Sequence, residues 1–179
     1  RSRQVMSEYI EPMFAVPIFH LYTKDWDSKK EALLDLSKAQ EFKKDVGEYV
    51  PSDFRTPKVK WEDIEPLIRD ELQKFKDQVK IDLEVDAYWF EKGGKGDQHL
   101  LHNHGATGFS AVMYIEYDPE EHTPTQFVCP FNNVIGWVDI YSPRDIQSGS
   151  VIFFPSFVHH YTLPCESDKE RLVLSWNMK

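Results

Sequence analysis

The chain has 179 residues, with 21 Lys and Arg against 30 Asp and Glu and a formal net charge of −9. That length suits one domain with a real core. The acidic balance gives no general attraction for phosphate backbones, so duplex nucleic acid is not an expected partner. Aromatic residues make up 14% of the chain, which favours packed sheets over disorder. Two cysteines, Cys129 and Cys165, are too few for a disulfide framework and point to a reducing, cytoplasmic setting. No apolar run approaches the roughly 18 residues that span a bilayer. No basic region followed by an apolar core opens the chain, so neither a membrane segment nor a signal peptide is expected.

Taken in order, "MFAVPIFHLYT" (Met13 to Thr23) reads as a strand. Ser28-Lys29-Lys30-Glu31 has the form of a capping box, in which the hydroxyl and the carboxylate each satisfy a free backbone N–H. Ala32, Leu36, Ala39, Phe42 and Val46 follow at helical spacing, and Gly47 is placed to end that helix. A second helix is expected from near Asp63, with Pro66 tolerated in its first turn and an apolar stripe of Ile64, Ile68, Leu72, Phe75 and Val79. Both helices are amphipathic, so each should lie on an apolar surface.

From Ile81 the period changes to two. Ile81, Leu83, Val85, Ala87 and Trp89 alternate with Asp82, Glu84, Asp86 and Tyr88, the pattern of a half-buried strand. "GGKGD" (Gly93 to Asp97) is a turn. Short β-like runs follow at Gln98 to His104, Phe109 to Tyr117, Gln126 to Cys129, Gly136 to Tyr141, Ser150 to Phe154, Val158 to Leu163 and Arg171 to Asn177. Two helices followed by about eight short strands predict a mainly β protein: a sandwich or jelly roll with the helices packed on one sheet. One domain is expected over 1–179, with a helix-rich part over 1–80 and a β core over 81–179.

Histidines carry the chemistry. In a strand, residues two apart share a face, so His102 and His104 of "LHNHG" can offer two imidazoles to one ion. "GSVIFFPSFVHHYTLP" (Gly149 to Pro164) supplies a third from His159 or His160, which cannot both face the same way within a strand. A facial set of three ligands leaves positions open for substrate and oxygen, as non-haem Fe(II) oxygenases require. Arg171 opens the apolar run "RLVLSWN", and its planar fork suits a carboxylate. His20, His99 and His122 read as surface or loop residues, with His99 at odd parity to the pair, so that it faces away unless a bulge intervenes. Trp89, Trp137, Phe157 and His159 are candidates to line a substrate pocket.

The stretches "HNHGATGFSAVMY", "GSVIFFPSFVHHYTLP" and "ERLVLSWN" resemble the Fe(II)/2-oxoglutarate-dependent oxygenases found in marine bacteria and cyanophages. Their pattern is His-x-His-Pro, then Ser-Gly-Val-x-Tyr, then Phe-Pro-Ser-Trp-x-x-His, then Arg-x-Ser with Asn close behind. "MFAVPIFHLYTKDW" resembles their opening, so the likeness covers nearly the whole chain. It implies a double-stranded β-helix with Fe(II) on His102, His104 and His160. It also implies 2-oxoglutarate anchored by Arg171, with Tyr114 lining the cosubstrate pocket. Gly105 replaces the proline, Ala111 the glycine, and Val173 the serine, whose hydroxyl Ser175 could supply from the same strand face. No His-x-Asp or His-x-Glu occurs, so His104 stands where a carboxylate ligand is familiar, and the site is one unit more positive.

The implied activity is hydroxylation of a small-molecule or peptide substrate coupled to decarboxylation of 2-oxoglutarate, in a bacterial cell or phage-infected host; oligomeric state is left open. Two rivals use the same residues. A cupin-type metalloprotein without 2-oxoglutarate fits the histidine spacing and also selects His160, but Gly108 and Phe109 stand where cupins carry a glutamate. A non-catalytic jelly-roll binding or virion module would need no metal.

Overall fold

A computed structural model describes residues 15–44 and 49–179 of the chain. Its elements are β1 (Phe19–Tyr22), α1 (Trp26–Lys38), α2 (Trp61–Val79), β2 (Val85–Gly93), β3 (His99–His102), β4 (Phe109–Glu116), β5 (Gln126–Asn132), β6 (Val138–Tyr141), β7 (Ser150–Pro155), β8 (His160–Thr162) and β9 (Arg171–Met178). They form a five-stranded sheet, β1-β7-β4-β9-β2, and a four-stranded sheet, β3-β8-β5-β6. Every pairing is antiparallel. No helix among the described residues is long and apolar enough to cross a membrane.

The larger sheet is buried on both faces, which is why β4 and β7 read as continuous apolar runs rather than alternating ones. On one face Ala111, Met113 and Ile115 of β4, Val151 and Phe153 of β7, and Leu172, Leu174 and Trp176 of β9 pack against the helices. On the other face Val112, Tyr114, Ile152, Phe154 and Val173 meet Phe127 of the smaller sheet and Val158. The helices therefore cover one sheet, and the second sheet closes the other side.

α2 buries the stripe expected of it: Ile64, Ile68, Leu72 and Phe75 are in the core, with Val79 partly covered. Phe75 stacks on Phe153 at 4.3 Å between centroids and meets Phe19 and Phe109 edge-on. Such pairs add about 0.5–1.5 kcal/mol each beyond their buried area.

α1 departs from the sequence expectation at both ends. It starts after Asp25, whose backbone is left-handed at φ 53°, and the capping box does not form: Ser28 Oγ donates back to the Asp25 carbonyl at 2.9 Å. Trp26 sets this entry, because its indole is buried, donates to Ser148 Oγ at 3.0 Å and lies against Gly149, where a Cβ would come within 2.8 Å of the ring. The helix ends at Lys38, nine residues before Gly47. Its core contacts come from Trp26 and Leu33, with Leu34 and the expected Leu36 partly buried against them, and not from Ala32 or Ala39. Gln40 then turns inward to accept the Lys58 backbone N–H at 2.8 Å. Val46 and Gly47, like Met13 and Phe14, lie outside the described residues.

The strand expected from Ile81 begins at Val85. Leu83 is buried, but Ile81 is half exposed, and only Glu84 of that stretch pairs, with Lys179. The remaining strands fall within the predicted runs to within a few residues.

Candidate metal centre

β3 and β8 run side by side with His102 directly opposite His160. Two residues after His102 the chain has left the strand, and the His104 backbone N–H is tied to the Ser156 carbonyl at 2.9 Å. The three imidazoles gather at one point: centroids are 5.2 Å apart for His102–His104, 4.3 Å for His102–His160 and 4.9 Å for His104–His160. One ring nitrogen from each lies within 4.8 Å of the others.

Which nitrogens these are follows from the partners of the others. His102 Nδ1 is 2.7 Å from the Leu100 carbonyl, His104 Nδ1 is 2.6 Å from Asn177 Oδ1, and His160 Nδ1 is 3.0 Å from the Val158 carbonyl. Those oxygens can only accept, so each Nδ1 carries the proton and each Nε2 keeps a lone pair. Burial lowers the pKa of all three rings, in His160 to about 3, against the opposing pull of the Nδ1 hydrogen bonds. Three neutral imidazoles with aligned, unprotonated Nε2 atoms are the donor set a divalent transition metal takes. The residues present fit such an ion.

A family model described as "Putative 2OG-Fe(II) oxygenase" matches residues 87–177, just over half of the chain and the whole of this site. The chain belongs to the 2-oxoglutarate/Fe(II) oxygenase family. It is accordingly a non-haem iron oxygenase whose cofactors are Fe(II) and 2-oxoglutarate. No curated protein matches it in sequence. HygX from Streptomyces hygroscopicus, solved with nickel and 2-oxoglutarate bound, aligns with TM-score 0.67 and 12% identity over 91% of this chain and 82% of its own. A prolyl-4-hydroxylase from Pseudomonas putida aligns with TM-score 0.61 and 18% identity over 90% of this chain and 92% of its own. The viral collagen prolyl hydroxylase of Paramecium Bursaria Chlorella virus-1, in its 2-oxoglutarate complex, aligns with TM-score 0.61 and 12% identity over 90% and 94%. The shared feature is the double-stranded β-helix fold.

In this oxygenase β9 lines the cavity beside the triad. Arg171, Val173 and Ser175 all face it, as alternation along a strand requires. Arg171 Nη1 donates to the Thr123 carbonyl at 3.3 Å. Asn177, next on the same face, accepts from both His104 Nδ1 and Ser110 Oγ, the latter at 2.8 Å, and Ser110 Oγ lies 2.9 Å from Ser156 Oγ. Tyr114 stands one layer back. Its hydroxyl donates to Thr125 Oγ1 at 3.1 Å and accepts from the Thr125 backbone N–H, and it is Thr125 that faces the cavity.

Among the cavity residues that the sequence did not assign are Glu91, His99, Thr125 and Asn177. His99 was expected to face away unless a bulge intervened, and one does. Between β3 and β8, three steps from His99 to His102 match two from Thr162 to His160, so β3 holds one extra residue. That bulge turns His99 onto the face of His102, and their rings sit 5.2 Å apart. Glu91 is buried on β2, where its Oε1 accepts from Trp89 Nε1 and stands 3.1 Å from His99 Nε2. Burial alone would push its carboxyl up; His99, Trp89 and the Arg171 charge together hold it well below the usual range. No spacing rule marks a lone glutamate of this kind.

His122 is not a surface residue. It is buried, its Nδ1 accepts from the Asp118 N–H at 3.0 Å, and its Nε2 lies 3.0 Å from the Lys169 carbonyl. His20 is exposed, as expected. His159 points away from the triad and meets Asn103 Nδ2 at 3.1 Å. Of the aromatic candidates for a substrate pocket, Trp89 lines the outer cleft over the triad with Tyr49, Phe54 and Leu100. Trp137, Phe157 and His159 line neither that cleft nor the inner cavity.

Proposed function

We propose that His102, His104 and His160 hold Fe(II) through their Nε2 atoms and that 2-oxoglutarate binds beside them with its distal carboxylate on Arg171. Ser175 is the hydroxyl on the same strand face, and Tyr114 acts through Thr125 by fixing the direction of its Oγ1. The observation that carries this reading is that each Nδ1 lies against an acceptor oxygen while one nitrogen of each ring lies within 4.8 Å of the others, which leaves Nε2 for the metal.

When bound, the iron and 2-oxoglutarate supply oxygen activation, with 2-oxoglutarate and O2 giving succinate and CO2 while one oxygen atom enters a substrate C–H bond. The chain's part is to hold and to exclude. Asn177 and the Leu100 and Val158 carbonyls keep the ligand rings from turning. Val112, Phe154 and Val173 wall the inner cavity with apolar surface, which strengthens the pull of Arg171 on a carboxylate. Tyr49, Phe54 and Trp89 flank the cleft through which a small-molecule or peptide substrate reaches the triad. The chain acts as a single oxygenase domain, its helices backing the sheet that carries Arg171. Its free thiols, Cys129 and Cys165, suit the cytoplasm of a bacterial cell or phage-infected host.

The test is Fe(II)-dependent formation of succinate from 2-oxoglutarate, followed against candidate amino acids, peptides and other small molecules. His102→Ala should abolish both iron binding and succinate formation. Full iron content and turnover in that variant would remove the assignment.

A further inference from the structure

All three ring ligands are neutral, so a divalent ion among them brings two positive charges that no ligand offsets. Burying an uncompensated charge is costly. Among the described residues three acids are buried: Asp53, Glu71 and Glu91. Glu71 pairs with Lys29 at 3.4 Å and accepts from the Lys24 N–H, and Asp53 accepts from the Phe90 N–H at 2.7 Å. Glu91 alone of the three lines the cavity that holds the triad.

Its contacts tie it to two of the ligands. Trp89 Nε1 and His99 Nε2 both address Glu91 Oε1. The Trp89 ring leans on His104, with centroids 5.5 Å apart and planes at 40°, and the His99 ring leans on His102 at 5.2 Å and 39°. One carboxylate oxygen therefore holds the Trp89 ring against His104 by a hydrogen bond and stands within ion-pair distance of the His99 ring that lies against His102. The third ligand, His160, is braced separately by Phe154, 4.7 Å away.

We propose that Glu91 is a positioning residue of the metal centre, which returns from outside the coordination sphere the negative charge that His104 does not supply and aligns His102 and His104 through His99 and Trp89. The inference rests on the three-histidine reading. It goes further by naming a residue that strengthens the hold of a site without a carboxylate ligand on a divalent ion.

Glu91→Gln keeps the shape and an acceptor oxygen and removes only the charge. Three measurements decide the matter: Co(II) affinity by calorimetry, the Fe(III)/Fe(II) midpoint potential, and melting of the metal-free protein. Glu91→Gln should melt like the parent, bind Co(II) about tenfold more weakly, and show a higher potential, because the lost charge favoured the ferric state most. Glu91→Ala, which also frees Trp89 and His99, should bind more weakly still. Parental affinity and potential in Glu91→Gln overturn the proposal. If Glu91→Gln melts early, Glu91→Asp decides: recovered affinity supports the proposal, and binding as weak as in Glu91→Gln overturns it. The parent and His102→Ala are titrated alongside. A parent that takes no Co(II) refutes the triad itself, whereas a parent that binds and a Glu91→Gln that binds equally well refute only the role of Glu91.

Discussion

Replacing Asn177 by Ala probes the hold on a single ligand ring. Asn177 Oδ1 is the acceptor for His104 Nδ1–H at 2.6 Å and for Ser110 Oγ at 2.8 Å. Ser110 retains Ser156 Oγ as a partner, so its loss is small. His104 has no such substitute, and leaving a largely buried donor unpaired costs about 1–3 kcal/mol. The free ring can also move its proton to Nε2, which removes the lone pair a metal needs. At 1.4 kcal/mol per factor of ten, the cost corresponds to roughly ten- to hundredfold weaker metal binding. Calorimetric titration with Co(II), supported by anaerobic Fe(II) binding, reads this directly. Asn177→Asp keeps an acceptor in place and adds a charge, so it should bind at least as tightly as the parent. If Asn177→Ala binds metal as the parent does while remaining folded, the ring orientation is set by something other than this hydrogen bond, and the argument from tautomers is wrong.

Arg171→Ala should raise the KM for 2-oxoglutarate by roughly ten- to hundredfold, the worth of a charge-assisted contact, and leave Co(II) affinity as it was; an unchanged KM would take Arg171 out of the cosubstrate site. The fold holds His102, His104 and His160 neutral below the unfolded value of 6.5, so the unfolded chain takes up protons that the folded chain refuses. Melting of the metal-free protein should therefore fall as pH drops below about 6.5, the lower bound of full stability from these groups, and a flat profile down to pH 5 would contradict it. Asp53 has the opposite sign: burial raises its carboxyl from 3.8 to about 6, despite the Phe90 N–H it accepts, so the fold loses stability as pH rises through that window. Asp53→Asn stays neutral and should melt with the parent at pH 4 but above it at pH 7, with equal melting at both values as the refuting result.

The histidine pair was legible because His-x-His spacing in an extended segment offers two imidazoles to one side, although β3 ends at His102 and it is the bond from the His104 N–H to the Ser156 carbonyl that holds the second ring. The β4, β7 and β9 runs were legible as strands because their apolar density exceeds what a loop carries. Residues whose position depends on an irregularity were not. His99 has the wrong parity for the pair and reaches it through one extra residue in β3. The capping box at Ser28 is a sound local pattern that loses to a distant one, since burying Trp26 against Ser148 and Gly149 fixes where α1 begins. His122 looks like a loop residue and sits in a loop, yet hydrogen bonds to Asp118 and Lys169 bury it.

By itself, the order of residues determined the strand periods, the α2 stripe and the residue types able to bind a metal, since these depend on neighbours only a few positions away. The tertiary structure decided which of His159 and His160 turns inward, because β8 pairs with β3 in only one register and sets His160 against His102. It also decided that a glutamate on β2 shares the cavity with histidines from β3 and β8, because those strands belong to different sheets that meet only when the barrel closes. Charge acts through space, and no pattern along a chain records which side chains will face one another across a closed fold.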